Sequence, residues 1–88
     1  MSAAVNHFTT ADFWECYKRL PAEVRELADK NFQLLKADPK YPSLHFKKID
    51  GLWSARVGRD YRALGLDKAE GVVWFWIGTH ADYEKLLP

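Results

Sequence analysis

The stretch from Leu52 to His80 constrains the fold of this chain most. Three runs rich in β-forming residues, L-W-S-A-R-V-G, Y-R-A-L-G-L and V-V-W-F-W-I-G-T-H, are separated by the short polar breaks R-D and D-K-A-E-G. This pattern predicts an antiparallel three-stranded meander. The basic residues along it are Arg56, Arg59, Arg62 and His80. Guanidinium groups can hold phosphates and an imidazole can move protons, so the meander is the candidate functional region.

Two amphipathic segments precede the meander and predict helices. Residues 9–12, T-T-A-D, have the form of a capping box, and Phe13, Cys16, Tyr17 and Leu20 follow at helical spacing. Cys16 falls on the apolar face, which favours a core thiol over a nucleophile. A second helix is predicted from about Ala22 to Ala37. Two helices joined at Pro21 predict a helical hairpin that packs on one face of the sheet.

The remaining segments complete the predicted fold. Residues 2–8 fit either a short edge strand or a disordered arm, and residues 40–50 read as a loop that becomes extended. Residues 72–77 lack polar alternation, so we expect one face of that strand to be covered by helices and the other by a partner or a cleft. Thr79 to Asp82 repeats the capping-box form and predicts a short C-terminal helix. The sequence thus predicts one α+β domain over residues 1–88.

Composition narrows the class of protein. Hydrophobic residues make up 48% of the chain, which fits a packed globule. The longest apolar run, residues 72–77, is far too short to span a membrane, and no secretory signal is visible. The single cysteine cannot form an internal disulfide. We therefore expect a cytoplasmic protein with no membrane partner, and no cofactor or metal site is predicted.

Charge is concentrated in one part of the chain. The net charge is only +1, but residues 40–62 contain six Lys or Arg against two Asp, whereas residues 1–38 contain five against six acidic residues. A local basic segment in a near-neutral protein favours a focused anionic partner over bulk attraction to nucleic acid or membrane. The alternative is that these are solvated charges on strands and loops, and the sequence leaves both open.

The geometry of the arginines depends on one turn. If R-D is a two-residue turn, Arg56 and Arg62 face opposite sides of the sheet. A bulge near Gly58 restores a common face. The sequence allows either. Arg62 is therefore the first candidate for a phosphate contact, and Arg56 and Arg59 compete for second place.

The order of these motifs resembles the RelE/ParE superfamily of bacterial toxin–antitoxin toxins. The residues that carry the resemblance are the helical L-P-A-E-V run, the stop at Asp38-Pro39, the run G-L-W-S-A-R-V-G-R-D-Y-R, and a strand that ends in G-T-H. The resemblance is closest to ribosome-dependent endoribonucleases of the YoeB type. It implies two helices packed on an antiparallel sheet, cleavage of mRNA on the ribosome, and inhibition by a cognate antitoxin protein.

The resemblance also implies residue roles. Arg62 matches the arginine placed against the scissile phosphate, and His80 matches the general acid for the leaving 5′ oxygen. YoeB-like toxins carry a glutamate general base in the loop before the W-S-x-R strand, but residues 41–48 contain no carboxylate, and His45 is the nearest titratable replacement. The basic residues expected to contact RNA phosphates are Arg56, Arg59, Lys47 and Lys48.

Other interpretations of the same residues stay open. His80 can be a helix N-terminal residue that moves no proton, and His45 can be a loop residue that only packs. At the level of function, a ParE-like toxin that binds DNA gyrase shares the scaffold without nuclease chemistry. A toxin-like scaffold that has lost activity and only binds a partner is the third possibility, which the missing glutamate keeps open.

Overall fold

The computed structural model describes residues 6–86. The start of the predicted N-terminal segment and the end of the predicted closing helix, at Leu87, lie outside these residues. The elements in chain order are β1 (His7–Thr9), α1 (Ala11–Lys18), α2 (Ala22–Ala37), a 3₁₀ turn (Pro42–Leu44), β2 (Lys47–Ile49), β3 (Leu52–Val57), β4 (Tyr61–Lys68), β5 (Gly71–Thr79) and α3 (His80–Leu86). No helix within residues 6–86 has both the length and the apolar character needed to cross a bilayer.

The strands form one five-stranded sheet in the order β1-β5-β4-β3-β2. The predicted meander is β3 to β5, and its neighbours pair antiparallel. β1 pairs parallel with β5, so the N-terminal segment is an edge strand from His7 onward rather than a disordered arm. The α+β prediction is confirmed, and the sheet has two more strands than the meander alone.

β2 is the strand that the sequence pattern did not predict. It pairs antiparallel with β3 through the two-residue turn Asp50-Gly51, whose φ angles are 48° and 80°. Positive φ at both central residues defines the tight hairpin turn that Asp-Gly favours. The segment predicted as an extending loop therefore ends in a short hairpin strand at the edge of the sheet.

The two N-terminal helices form where the pattern places them, with one local correction. The side chain that caps α1 belongs to Thr10, whose hydroxyl accepts a hydrogen bond from the backbone N–H of Phe13. The expected cap, Thr9, instead accepts a hydrogen bond from the indole of Trp14. The bounds of α2 match the prediction.

The core lies between these helices and one face of the sheet. Its buried members are Leu20, Leu35, Leu44, Ala55, Val57, Ala63, Val72, Trp74 and Ile77, and Cys16 packs against them half-buried. We call this side of the sheet the helix face. The opposite side, which carries α3 but neither N-terminal helix, is called the open face.

A bulge in β5 decides which of its side chains reach the core. Gly65 pairs with Trp74 and Leu64 with Trp76, so Phe75 is an extra residue in β5. Val72, Trp74 and Ile77 are consequently buried on the helix face, while Val73, Phe75 and Trp76 keep part of their surface exposed. We expected both faces of this strand to be covered. Within residues 6–86 only the helix face is fully covered.

The open face is organised in rows of directly opposed residues. One row is apolar and crosses all five strands, with the members Ile49, Leu52, Leu66, Val73 and Phe8, none of them fully buried. Two rows further along the strands lie Arg56 and Arg62. The open face thus presents an apolar end and a cationic end.

Candidate functional site

The turn between β3 and β4 places both arginines on the open face. Arg56 lies directly opposite Arg62, and Val57 opposite Tyr61, so residues 58–60 form a three-residue connection. Gly58 has a φ of 66°, which a glycine adopts without steric cost. Of the two registers that the sequence allows, the structure has the one with a common face. Directly opposed side chains lie about 5 Å apart at Cβ, so Arg56 and Arg62 are neighbours that make this end of the open face cationic.

Arg62 is held by residues from the start of α3. Its Nε donates to Nδ1 of His80 over 3.4 Å, and its Cζ lies 5.3 Å from the ring centre of Tyr83. Nη1 of Arg62 is buried and makes no hydrogen bond within the described residues. The His80 backbone N–H donates to the carbonyl of Asp60 over 2.7 Å, which ties the start of α3 to the β3–β4 turn. His80 and Arg62 are therefore brought together as one unit.

Arg56 makes the matching contact on the other side. Its Nη1 lies 3.4 Å from Nε2 of His45, and its Nε donates to the carbonyl of Gly58 over 2.9 Å. Because a guanidinium can only donate, Nε2 of His45 accepts in this contact, and the neutral ring carries its hydrogen on Nδ1. His45 is exposed and has a φ of 44°, a left-handed conformation in which histidine is enriched among non-glycine residues.

The structure therefore joins the three predicted catalytic residues with Arg56 in one line. From the 3₁₀ turn to α3 the order is His45, Arg56, Arg62, His80, with a histidine at each end and two arginines between. These are the residue types that cleavage of a phosphodiester by proton transfer needs.

The other predicted phosphate contacts are distributed over both sides of the sheet. Lys47 pairs with Ser54 and shares the open face with Arg56, and Arg59 is exposed in the turn. Lys48 pairs with Trp53, which directs it to the helix face.

Lys48 is engaged in an ion pair on that face. Its Nζ lies 2.7 Å from a carboxylate oxygen of Asp67 and 5.5 Å from the ring of Trp53. The bond from Lys48, followed by the bond from the Trp53 indole, holds the pKa of Asp67 below its usual range. Lys48 therefore does not join the row that contains the arginines.

Two residues of α3 belong to the site and were not predicted for it. Tyr83 is buried and stacks on the His80 ring at 5.6 Å and 26°, and Glu84 places Oε1 3.3 Å from Nε2 of His80. The sequence contained a signal for them, since positions i+3 and i+4 of a helix lie beside position i. Among residues 6–86 no group of three or more His, Cys, Asp or Glu residues is arranged to hold a metal ion.

Arg56 also borders a concave region on the helix face. A cavity of about 120 Å³ separates α1 and α2 from the helix face, and apolar side chains such as Phe13, Phe32 and Trp74 form most of its wall. Of the residues that the structure describes, no histidine and one carboxylate, that of Asp29, line this cavity. This cavity offers no acid–base pair, so the line of histidines and arginines on the open face is the candidate functional site.

Comparison with known proteins identifies the family. The sequence profile of the ParE-like toxin domain matches residues 22–85, which include α2, the whole meander and most of α3. The chain therefore belongs to the ParE-like toxin domain family. No curated protein sequence matches it significantly.

Solved structures of toxins have the same fold. The RelB–RelE antitoxin–toxin complex from Methanococcus jannaschii aligns with a TM-score of 0.71 at 15% identity, covering 92% of this chain and 99% of that one. The RelBE2 toxin–antitoxin complex from Mycobacterium tuberculosis aligns at 0.65 and 20% identity, covering 89% and 100%. The YoeB dimer from Staphylococcus aureus aligns at 0.57 and 19% identity, covering 89% and 99%. At these identities the likeness establishes the RelE-like fold.

Proposed function

We propose that this toxin domain is a ribosome-dependent mRNA endoribonuclease of a toxin–antitoxin system, acting in the cytoplasm. The observation that carries the proposal is the line His45, Arg56, Arg62, His80 on the open face. It combines two groups that can move protons with two fixed positive charges between them. Solved toxins with this fold, among them RelE and YoeB, add support from the fold alone.

The reaction needs a base, a charge and an acid. The base removes the proton from the ribose 2′-hydroxyl, whose oxygen then attacks the adjacent phosphorus. The bond from phosphorus to the 5′ oxygen breaks, and the acid protonates that oxygen. His45 is proposed as the base and His80 as the acid. Arg62 and Arg56 stabilise the negative charge that grows on the phosphate oxygens.

In the free chain each arginine contacts a lone pair that this chemistry requires. Nε2 of His45 faces Arg56 Nη1, and Nδ1 of His80 faces Arg62 Nε. A phosphate is a stronger partner for a guanidinium than a neutral imidazole, because the contact is charge-assisted and bidentate. A bound phosphate therefore draws both arginines towards itself. His45 is then free to accept a proton, and His80 can carry hydrogen on both nitrogens.

The open face offers a surface that suits the proposed antitoxin. A protein segment with carboxylates would neutralise Arg56 and Arg62, and apolar side chains on the same segment would cover the apolar row from Ile49 to Phe8. Row and arginines lie on one face, so a single segment can cover both. Such a segment would occupy the place where the RNA phosphate has to bind.

Inhibition of DNA gyrase is the second candidate function. It is favoured by one observation, that the matching family profile is the ParE-like one. A gyrase inhibitor needs no acid–base pair, so loss of His80 would leave its toxicity intact. A supercoiling assay with purified gyrase separates the two candidates.

The test of the proposal is a set of variants at the site. We expect His80→Ala and Arg62→Ala each to abolish growth arrest. Loss of a general acid costs roughly a hundredfold to ten-thousandfold in rate, and loss of a phosphate contact costs a factor of about the same size, by analogy with an oxyanion donor. His45→Ala should be equally severe if it is the base, and milder if it only positions RNA. The measurement is brief induction in cells, with cuts mapped on translating ribosomes.

Controls separate chemistry from folding. Lys30→Ala removes an exposed charge from α2, on the other side of the sheet, and should stay fully toxic. Circular dichroism should give the same spectrum for all variants. If His80→Ala is folded and fully toxic, acid–base cleavage through this residue is wrong. Gyrase inhibition then becomes the leading candidate, and a chain with neither activity would be the inactive binding scaffold.

A further inference from the structure

Tyr83 has an environment that its neighbours in α3 do not share. It is 5% exposed, whereas Asp82 and Glu84 are exposed. Its ring lies 5.6 Å from the His80 ring and 5.3 Å from Cζ of Arg62. A single buried side chain therefore contacts both the charge and the proton carrier of the site.

The contact with Arg62 explains an otherwise costly arrangement. Nη1 of Arg62 is buried without a hydrogen-bond partner within residues 6–86, and burial of an unpaired donor is unfavourable. The face of a tyrosine ring attracts a guanidinium, most strongly where water is excluded. Tyr83 thereby holds the guanidinium on the open face while one of its donors stays unpaired. The attraction between ring and guanidinium offsets part of the cost of that buried, unpaired donor.

Glu84 acts on the other nitrogen of His80. Its carboxylate lies 3.3 Å from Nε2, at position i+4 of the same helix, while Nδ1 accepts from Arg62. A carboxylate can only accept a hydrogen bond, so the neutral imidazole carries its hydrogen on Nε2. The imidazole is thus held at both nitrogens, by Arg62 at Nδ1 and by Glu84 at Nε2.

We propose that Tyr83 and Glu84 are positioning residues, which fix the Arg62 guanidinium and the tautomer and orientation of the His80 imidazole. The importance of this role for RNA cleavage rests on the proposed function. The role itself is a property of the free chain and can be measured without RNA. Neither residue is proposed to contact the RNA, so each acts through Arg62 or His80.

The first test measures the His80 tautomer and the exchange of the Arg62 Nε–H directly by NMR. A long-range ¹H–¹⁵N spectrum of the whole chain should show neutral His80 with its hydrogen on Nε2, and the Nε–H of Arg62 should exchange slowly with water. Tyr83→Leu should speed that exchange by on the order of tenfold, and Tyr83→Phe, which keeps the ring, should preserve it. Glu84→Ala should give a mixture of His80 tautomers. Glu84→Gln, which keeps an acceptor oxygen, should retain the Nε2–H form.

The second test reads catalysis. Tyr83→Leu and Glu84→Ala should lower the cleavage rate at saturating toxin by about tenfold or more, since small displacements of catalytic groups are expensive. The toxin concentration for half-maximal rate should hardly change. The conservative variants Tyr83→Phe and Glu84→Gln should restore the rate. Lys85→Ala is the matched control on α3, because Lys85 is exposed and its only ion pair within residues 6–86 is with Asp82, at i,i+3.

The outcomes are distinct. Unchanged exchange and an unchanged tautomer in folded Tyr83→Leu and Glu84→Ala would overturn the proposal. So would altered spectra together with an unaltered cleavage rate, because the two residues would then be structural only. If the parent chain cuts no transcript, the proposed function fails. The spectra still decide whether α3 holds Arg62 and His80.

Discussion

At the scale of single residues, the three histidines have different surroundings. His45 and His80 contact arginines on the open face, whereas His7 lies on the helix face between Trp74 and α2. Its Nδ1 accepts a hydrogen bond from the Trp74 indole over 3.1 Å, and its ring meets the edge of Phe32 at 5.4 Å. Burial, followed by the charge of Lys36, lowers the pKa of His7. His7 is therefore a neutral part of the packing that joins β1 to the sheet.

This environment predicts a dependence of stability on pH. The unfolded chain binds a proton at His7 near pH 6.5, and the folded chain only at lower pH, because the folded pKa of His7 is lowered. At pH values between the folded and the unfolded pKa of His7, the unfolded state binds more protons than the folded state. The free energy of unfolding should therefore be fully maintained above about pH 6.5, and should fall as the pH drops towards the folded pKa.

The measurement is urea unfolding followed by tryptophan fluorescence at pH 7.5 and pH 5.5. We expect His7→Gln, which keeps an acceptor for the Trp74 indole, to lose less stability between the two pH values than the parent chain. An identical loss in both chains would contradict the assignment of this pH dependence to His7.

At the scale of elements, the turn between β3 and β4 controls the site, because its length puts Arg56 opposite Arg62. Gly58 makes this turn possible. A Cβ at this position would lie 2.7 Å from Cδ2 of Leu27, and its φ of 66° is unfavourable for other residues. The turn is thus packed against α2 as well as conformationally restricted.

Gly58→Ala should therefore destabilise the chain by more than the backbone strain of roughly 1–2 kcal/mol. Gly51→Ala is the matched control, because Gly51 also has a positive φ, of 80°, but apart from its chain neighbours no atom of residues 6–86 lies within 4 Å of its Cβ position. Gly51→Ala should therefore lose only the stability that corresponds to backbone strain. Chemical unfolding measures both, and the excess loss in Gly58→Ala reports the contact with Leu27. Equal losses would show that the turn is not packed on α2.

The elements also show what the sequence could predict. The two N-terminal helices and the meander follow from local periodicity, and the bounds of α2 needed no tertiary information. β2 has only three residues and pairs through a hairpin turn, so no alternating pattern marks it. The bulge at Phe75 depends on how Trp74 packs over Gly65, which is a contact between strands. Such pairings arise only when the chain is folded.

The candidate site could also be predicted only in part: the sequence indicates its residues but not their arrangement. His45, Arg62 and His80 could be selected because their side chains have suitable chemistry, although the role of each stays a prediction. The common face of Arg56 and Arg62 could not be chosen, since it depends on whether the turn has two residues or three. Lys47 and Lys48 are both predicted to contact phosphates because both are basic. In a strand, however, neighbouring side chains point to opposite faces.

At the scale of the whole molecule, the two faces of the sheet differ: one packs the core and the other carries the candidate site. The helix face holds the core, and α3 organises the cationic end of the open face. The apolar row remains partly exposed, with Leu66 at 36% and Phe8 at 46%. Apolar surface beside a cationic centre favours a protein partner that carries both carboxylates and apolar side chains.

This distribution predicts where the proposed antitoxin binds. The double variant Arg62→Glu with Lys47→Glu reverses two charges on the open face and should weaken binding of the product of the flanking antitoxin gene at least about tenfold, or 1.4 kcal/mol. The reason is that carboxylates of the partner would then face carboxylates of the toxin. Isothermal titration calorimetry of the purified proteins measures the affinity. Higher salt should weaken the parent complex and should reduce the difference in affinity between the parent chain and the double variant.

The matched control reverses as much charge on the other side of the molecule. Arg19 and Lys30 are exposed on the helical layer, so Arg19→Glu with Lys30→Glu alters the net charge equally without touching the open face. If electrostatic attraction acts only over long range, both double variants should lose the same affinity, and the placement on the open face is wrong. If the segment lies over the arginines, only the first variant should lose affinity. The loss should appear mainly as faster dissociation, because close charge pairs act on the bound complex.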